Sequence, residues 1–405
     1  MSEQKLSQGL DFYKPTMSQL EFEQYPDAEV TFTMKNRSDN PLSRYVRPEQ
    51  LKDRIETLQS GWQPDEIAYL ASLEAQDGSA RFTPEYLDYL ADSELPPLTV
   101  RYGESGDLDV STTGKWPLVS FWETVVMSEL NELYYEGKIA QEGLSVDQLY
   151  TEGNRRLDTK IELLRSRPDI KFSDFGTRRR FSYQWHRHVL KRLASECPDN
   201  FVGTSNVFLS HELGLRPIGT FAHELPMGYA ALAEERGDNP LSGHSEMLHD
   251  WQAKYGSDLS TALTDTFTTG FFFADFSPEQ AQSWNSLRHD SGDPIEFGEA
   301  VIDFYERSGV DSRDKTIVFS DGLDIDKIVQ LADYFKGRIN TTYGWGTTLT
   351  NDLGLEPNNF VMKATKVNGI PTVKLSDSVG KHTGPEDVVD RYQSLVAQSL
   401  KAVTA

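Results

Sequence analysis

The sequence predicts an α/β protein whose main body is a β/α barrel, and three observations predict it. From about residue 145 onward, short apolar strand segments alternate with helical segments, which implies parallel strands joined by helical crossovers. Seven of those strands end in, or just before, polar or glycine residues: Asp174 and Arg178, Thr204 and Ser205, His223 and Glu224, Asp265, Arg288 and Asp290, Asp321 and Gly322, Gly344 and Gly346. A barrel builds its site from C-terminal strand ends all round, whereas an open doubly wound sheet gathers its ligand at one switch point. Finally, 405 residues are too many for one average domain and suit a barrel with a companion.

Each element follows from local pattern. Val30, Phe32 and Met34 alternate in 29–38, so that segment reads as a strand. Residues 48–93 read as helices opened by Pro48, Pro64 and Pro84. Residues 96–114 read as two strands around a glycine-containing turn. A long helix is expected over 117–138, opened by Pro117 and stopped at Gly137. The later strands are 170–176, 200–205, 216–224, 262–267, 284–290, 316–322 and 338–344. Helices fit between them at 182–196, 294–308 and 324–336. Asp293 reads as the cap of the helix that Pro294 opens.

Composition narrows the functional classes. Hydrophobic residues make up 38% and aromatics 11%, enough for a sizeable core. The formal net charge of -23 argues against nucleic acid or an anionic membrane as main partner, since both need clustered cations. A solvated acidic surface explains the charge. Cys197 is the only cysteine, so no intrachain disulfide forms. The start has no apolar signal core, and no run approaches 18 apolar residues. A cytoplasmic protein is expected.

The chemistry sits at the strand ends. "YGWGT" (343–347) lets the backbone approach an anion, with Gly344, Gly346 and Thr347 as a phosphate cradle, although a sterically required turn explains two glycines equally well. In "FSDGLD" (319–324), Asp321 can accept from a sugar hydroxyl beside Gly322. "DFGTRRRF" (174–181) sets three arginines after a strand, suited to carboxylate or phosphate, with Phe175 placed to stack a flat ring. The alternative is a surface basic cluster in an acidic chain. "SLRHDSGDP" (286–294) offers Arg288 to an acidic group and Asp290 to a ribose hydroxyl or the water shell of Mg²⁺. In "IGTFAHELP" (218–226), Glu224 flanks His223 and could orient its ring, and histidine can act as a covalent nucleophile. A lone histidine is more often a satisfied structural group. With eight histidines and no Cys cluster, a structural zinc site is not expected, nor is any cage of side chains directly on a metal. Neither GxSxG nor the P-loop pattern occurs.

In chain order, "LDFYKPTM", "FGTRRRF", "GTSNVFL", "GTFAHE", "LRHDSGD", "FSDGLDID", "YGWGT" and "VKLSDSVGKHTG" (373–384) resemble the nicotinate phosphoribosyltransferases, members of the type II phosphoribosyltransferases. The resemblance runs along nearly the whole chain, and the ordered set is specific where any one motif is not. It implies an irregular β/α barrel over 141–359 and a second α/β domain formed by 1–140 with the C-terminal return 360–405. It implies transfer of phosphoribose from phosphoribosyl pyrophosphate to nicotinate in NAD salvage, coupled to ATP hydrolysis and using Mg²⁺. It also implies a homodimer with shared active sites. By motif, His223 matches the histidine that ATP phosphorylates. Tyr13 and Phe175 match the pair that sandwiches the pyridine ring, Tyr13 reaching over from the neighbour. Arg178 and Arg288 match cations near the carboxylate and phosphates. Asp265, Asp290 and Asp321 match acids around ribose and Mg²⁺, and Lys363 and Lys374 match phosphate ligands.

Ser205 bears on the substrate. Nicotinamide-using relatives carry an aspartate at the matching position, which accepts from the amide and would repel a carboxylate. Serine favours nicotinate. A nicotinamide-using enzyme is the first alternative, and quinolinate-using relatives are shorter and need further cations. From another class, a barrel sugar-phosphate lyase or isomerase would need a Schiff-base lysine or an acid/base pair, and the seven strand ends carry no lysine. A non-catalytic metabolite-binding module would have no need of His223 beside Glu224.

Overall fold

A computed structural model describes residues 4–38, 41–378 and 380–404, and eleven strands lie among the described residues. Val379 of the segment 373–384 lies outside the described residues. The chain divides into two compact units. Unit one comprises Met1–Asp27, Thr31–Gly219 and Trp345–Lys363; unit two comprises Ala28–Val30, Thr220–Gly344 and Ala364–Ala405. These divisions differ from the expected boundaries at 140 and 360. Between the helices Trp122–Glu142 and Val146–Ser166 the chain spends only three residues, with Gly143 left-handed at φ 65°, so no linker marks a domain boundary near residue 140.

Unit one is built on long helices around buried tryptophans, with Trp116, Trp122, Trp185 and Trp345 almost wholly inside. The expected 117–138 helix starts later and runs further, after a short turn at Trp116–Val119. It does not stop at Gly137. A Cβ there would lie 2.2 Å from the carbonyl oxygen of Tyr45, so this glycine serves close approach and not termination. Strands β1 (Glu29–Asn36), β2 (Leu98–Tyr102) and β3 (Leu108–Lys115) match the expected segments, and β2 and β3 form an antiparallel pair. The short strands β4 (Phe172–Asp174) and β5 (Phe201–Thr204) run parallel, Asp174 beside Thr204. Both are shorter than expected because their flanks turn into loops that carry polar side chains.

Buried polar groups also mark this unit. Glu129, 3% exposed, lies 3.7 Å from Arg180 and 3.5 Å from Arg54. Burial first, and Glu132 second, push its carboxyl up to about 7 against those cations. The folded state therefore holds a proton that an unfolded glutamate has lost, and stability falls as pH rises from the unfolded value to about 7. Glu129→Gln should be more stable than the parent at pH 8 by on the order of 1–3 kcal/mol, the gap closing as pH falls toward 4.5. Urea unfolding at both pH values checks this. A variant less stable at pH 8 would mean that Arg180 and Arg54 keep the carboxylate ionised.

In unit two the strands β6 (Thr261–Leu263), β7 (Ser286–His289), β8 (Thr316–Phe319) and β9 (Asn340–Trp345) follow the expected order and pair in parallel, β6 with β7, β7 with β8 and β8 with β9. The helix Pro294–Arg307 lies between β7 and β8, and Ile325–Phe335 between β8 and β9. Asp293 caps the first through the amides of Ile295 and Glu296, at 2.8 and 3.0 Å. Such a cap contributes about 1 kcal/mol. Strand β10 (Phe360–Val367) turns back through β11 (Ile370–Pro371), and the helix Glu386–Thr404 packs Val389, Tyr392 and Val396 onto Phe267, Phe271 and Leu375.

The α/β class holds: one sheet is parallel and the other contains antiparallel pairs. A closed barrel ladder is not formed among the described residues. The segment 216–224, expected as a strand, makes only an isolated bridge between Pro217 and Thr204. Its register fails because residues 222–224 already enter a turn and the helix Glu224–Glu235.

Candidate active site

Parallel register sets the strand ends of unit two level. Leu263 lies beside Arg288, and His289 beside Phe319, which lies beside Tyr343. The residues just past those positions, Asp265, Asp290, Ser320, Asp321 and Gly344, therefore share one edge of the sheet. His223 joins them from the turn before Glu224–Glu235, and Lys374 from the return after β11.

His223 is 5% exposed and both its ring nitrogens are engaged. Nδ1 lies 3.0 Å from Thr266 Oγ1; Nε2 lies 2.9 Å from Lys374 Nζ, 3.0 Å from Asp290 and 3.4 Å from Asp265. A lysine ammonium has only donors. Nε2 thus faces a donor, Lys374, and two acceptors, Asp290 and Asp265, while the hydroxyl of Thr266 can serve Nδ1 as donor or acceptor. Burial, then Lys374, push the imidazole pKa down against the two aspartates, so the ring stays neutral at pH 7. Asp290 is held well below the usual carboxylate range, because Arg288 and His223 outweigh a burial that would raise it. Asp265 is lowered too, His223 and Lys374 overcoming burial.

The shell around this cluster is polar. Arg288 donates to Ser320 at 2.8 Å and to Asp290 at 3.0 Å. Ser291 donates to Asp265 at 2.6 Å, and Lys374 Nζ lies 2.9 Å from Asp265. Thr266 holds the Nδ1 side of the ring, where an orienting role was expected of Glu224, which lies buried at the start of the helix Glu224–Glu235. Nε2 and one oxygen each of Asp265 and Asp290 lie within 4.8 Å of one another, and Asp265 Oδ1 is buried without a hydrogen-bond partner. Carboxylate oxygens are what Mg²⁺ prefers, so Asp265 and Asp290 fit such an ion. Asp321 is partly exposed and Gly322 exposed at the same edge.

Unit one carries a second cluster. Ser205 follows β5 and donates its hydroxyl to Asp11 at 2.6 Å. Arg178 lies 3.3 Å from Asp11 and 3.6 Å from Glu123. Glu123 also meets Lys14 at 2.7 Å and Lys363 at 3.7 Å. Burial would raise the Glu123 carboxyl, but Lys14, Lys363 and Arg178 hold it at about 2. Asp11 is raised by burial despite Arg178. Three cations, Arg178, Lys14 and Lys363, thus gather around Asp11 and Glu123, with the buried Asp174 acting on Asp11 from behind. The Tyr13 ring lies 5.8 Å from the Arg178 guanidinium and 5.5 Å from Lys14. Tyr13 is 7% exposed. Phe175, partly exposed, is fixed by its amide on Trp345 O, and Gly346 passes so near that a Cβ there would lie 3.3 Å from Phe175 O. Thr347 opens the short helix Thr347–Thr350.

The structure thus groups Arg178, Ser205, Tyr13 and Lys363 in unit one, and His223, Asp265, Asp290, Arg288 and Lys374 in unit two. Comparison with known proteins agrees with the ordered motifs. Residues 170–399 match the nicotinate phosphoribosyltransferase (NAPRTase) family, and residues 10–131 match its N-terminal domain. The chain belongs to the nicotinate phosphoribosyltransferase family. It is similar to the nicotinate phosphoribosyltransferase of Porphyromonas gingivalis, with 32% identity, 98% of this chain and 100% of that one covered, and a TM-score of 0.87. It is similar also to that of Vibrio cholerae, with 30% identity, coverage of 99% and 97%, and a TM-score of 0.85. Membership makes it a phosphoribosyltransferase. No described helix is long and apolar enough to cross a membrane.

Sequence reasoning missed Thr266, Ser320, Ser291, Asp11, Lys14 and Glu123. For Glu123 a signal existed: a lone carboxylate in the apolar run "SFWETVV" must find a cation when buried.

Proposed function

We propose that the protein transfers phosphoribose from phosphoribosyl pyrophosphate to nicotinate, giving nicotinate mononucleotide and pyrophosphate, with ATP hydrolysis coupled through phosphorylation of His223. The observation that carries the choice of pyridine is that two partly exposed cations lie in the cluster of Tyr13 and Ser205, which suits a substrate carboxylate. Arg178 and Lys363, at the partly exposed side of that cluster, are the cations that would meet it. The ring nitrogen of nicotinate is itself the nucleophile, so no strong general base is needed.

In the other cluster, His223 Nε2 attacks the terminal phosphorus of ATP. The N–P bond forms as the P–O bond to ADP breaks, while the Nδ1 proton stays directed at Thr266 Oγ1. Lys374, 2.9 Å from Nε2, gives up that contact as the phosphoryl group arrives and meets its oxygens. The later loss of pyrophosphate builds positive charge on the ribose carbon, and Asp265 and Asp290 supply the carboxylates such a centre needs. Bound Mg²⁺, held by those two residues, would neutralise pyrophosphate oxygens. The homodimer belongs to the same reading.

A product assay tests it. Purified protein with nicotinate, phosphoribosyl pyrophosphate and Mg²⁺ should give nicotinate mononucleotide, faster with ATP, and little product from nicotinamide. Equal use of the two pyridines would overturn the carboxylate reading. No product from either would overturn the reaction.

A further inference from the structure

The buried carboxylate of Asp174 takes no part in the chemistry above, yet it lies at the centre of the unit-one cluster. It is fully buried. Its Oδ1 accepts from the Gly176 amide at 2.8 Å, and its Oδ2 accepts from Thr204 Oγ1 at 2.6 Å and lies 2.7 Å from His186 Nε2. His186 is also wholly buried, on the helix Tyr183–Glu196. The Asp174 carbonyl accepts from the Ser205 amide at 2.8 Å. Thr204 Oγ1 accepts in turn from the Asn206 amide at 3.0 Å. One residue thereby joins the end of β4, the turn that carries Phe175 and Arg178, the end of β5 with Ser205, and a helix behind them.

The link continues to the aromatic wall. Ser205 O accepts from the Phe12 amide at 2.6 Å, Leu10 O accepts from the Val207 amide at 3.0 Å, and Asp11 pairs with Asn206. Segment 10–13, with Asp11 and Tyr13, is therefore held on the same strand end. Burying a carboxylate is costly unless its acceptor sites are filled, and three donors fill them here. A packed apolar residue at 174 would close the core but leave the Gly176 amide and the Thr204 and His186 donors unmatched.

We propose that Asp174, with His186 and Thr204, is a positioning network that sets the spacing of Tyr13, Phe175, Arg178 and Ser205, and so fixes affinity for the pyridine acid without touching it. This rests on the nicotinate reading of that cluster. Neither Asp174 nor His186 is placed to meet substrate, so both act through the loops they hold.

The test uses near-isosteric changes. Thr204→Val deletes the donor to Asp174 and the acceptor of the Asn206 amide and keeps the volume, and Thr204→Ser keeps the hydroxyl. His186→Leu deletes the ring donor, and His186→Gln keeps a donor near the position of Nε2. Nicotinate binding is read by calorimetry, independently of turnover, beside KM for each substrate, kcat and Tm. Thr204→Val and His186→Leu should weaken nicotinate binding and raise its KM by roughly tenfold or more, as loss of one or two buried hydrogen bonds implies. KM for phosphoribosyl pyrophosphate should stay within about twofold, since that arm reads general damage. Thr204→Ser and His186→Gln should recover most of the affinity. Unchanged nicotinate binding in both deletion variants would overturn the proposal. So would an equal rise in both KM values that tracks loss of Tm and is not rescued by the serine or glutamine. If the parent itself binds no nicotinate, it is the reading of the cluster that fails, and the proposal falls with it.

Discussion

His223→Ala should abolish labelling of the chain by the terminal phosphate of ATP and remove the stimulation of product formation by ATP. The ATP-driven rate should fall by roughly 100-fold or more, as for loss of a positioned reactive group. A slow ATP-independent transfer should persist, because the unit-one cluster and the carboxylates Asp265 and Asp290 remain. Burial and Lys374 keep the imidazole neutral, and Thr266 fixes the ring at Nδ1. The pH profile follows in sign. A depressed pKa means that the neutral form survives acidification, so phosphorylation should fall less on acidification than it would for a free imidazole. Lys374→Met removes one of the two causes of that depression and leaves Asp265 and Asp290, which raise the pKa; its acidic limb should move up in pH. Mass spectrometry of the phosphorylated chain, quenched at alkaline pH, reads both effects. Label retained in His223→Ala would place the phosphoryl group elsewhere and sink the mechanism.

How much of this was legible beforehand varied with the kind of signal. The parallel strands of unit two were found because each pairs an apolar run with a polar end, and the helix at Pro294 because Asp293 and Pro294 are both start signals. Gly137 misled, because a glycine in a helix can mark close packing as well as an end. Segment 216–224 misled, because apolar content predicts burial and not a hydrogen-bonded ladder. Within the site, His223, Asp265, Asp290 and Arg288 announced themselves as polar residues at strand ends. Thr266 and Ser320 did not, since a hydroxyl is ordinary in a loop and its role depends on the atom it faces. Lys14 and Glu123 lie far apart in sequence and inside helices, so only folding pairs them.

That pair carries the second large effect. Lys14 and Glu123 meet at 2.7 Å with side chains 0% and 2% exposed. Glu123 is also the common counterion of Arg178 and Lys363, at 3.6 and 3.7 Å. Removing it takes a shared counterion from three cations, one of them wholly buried, so Glu123→Ala should cost about 3–5 kcal/mol of stability. Lys14→Met should cost less, about 1–3 kcal/mol, because two cations still face the carboxylate. The double variant should be more stable than Glu123→Ala alone, since it removes the most deeply buried of those cations. Denaturant unfolding of the four proteins checks the cycle. A cost below about 1 kcal/mol for Glu123→Ala would mean that Lys14 gives up its proton in the variant once the carboxylate is gone. The charge of Lys14 in the parent rests on Glu123, whose carboxyl it helps to hold at about 2.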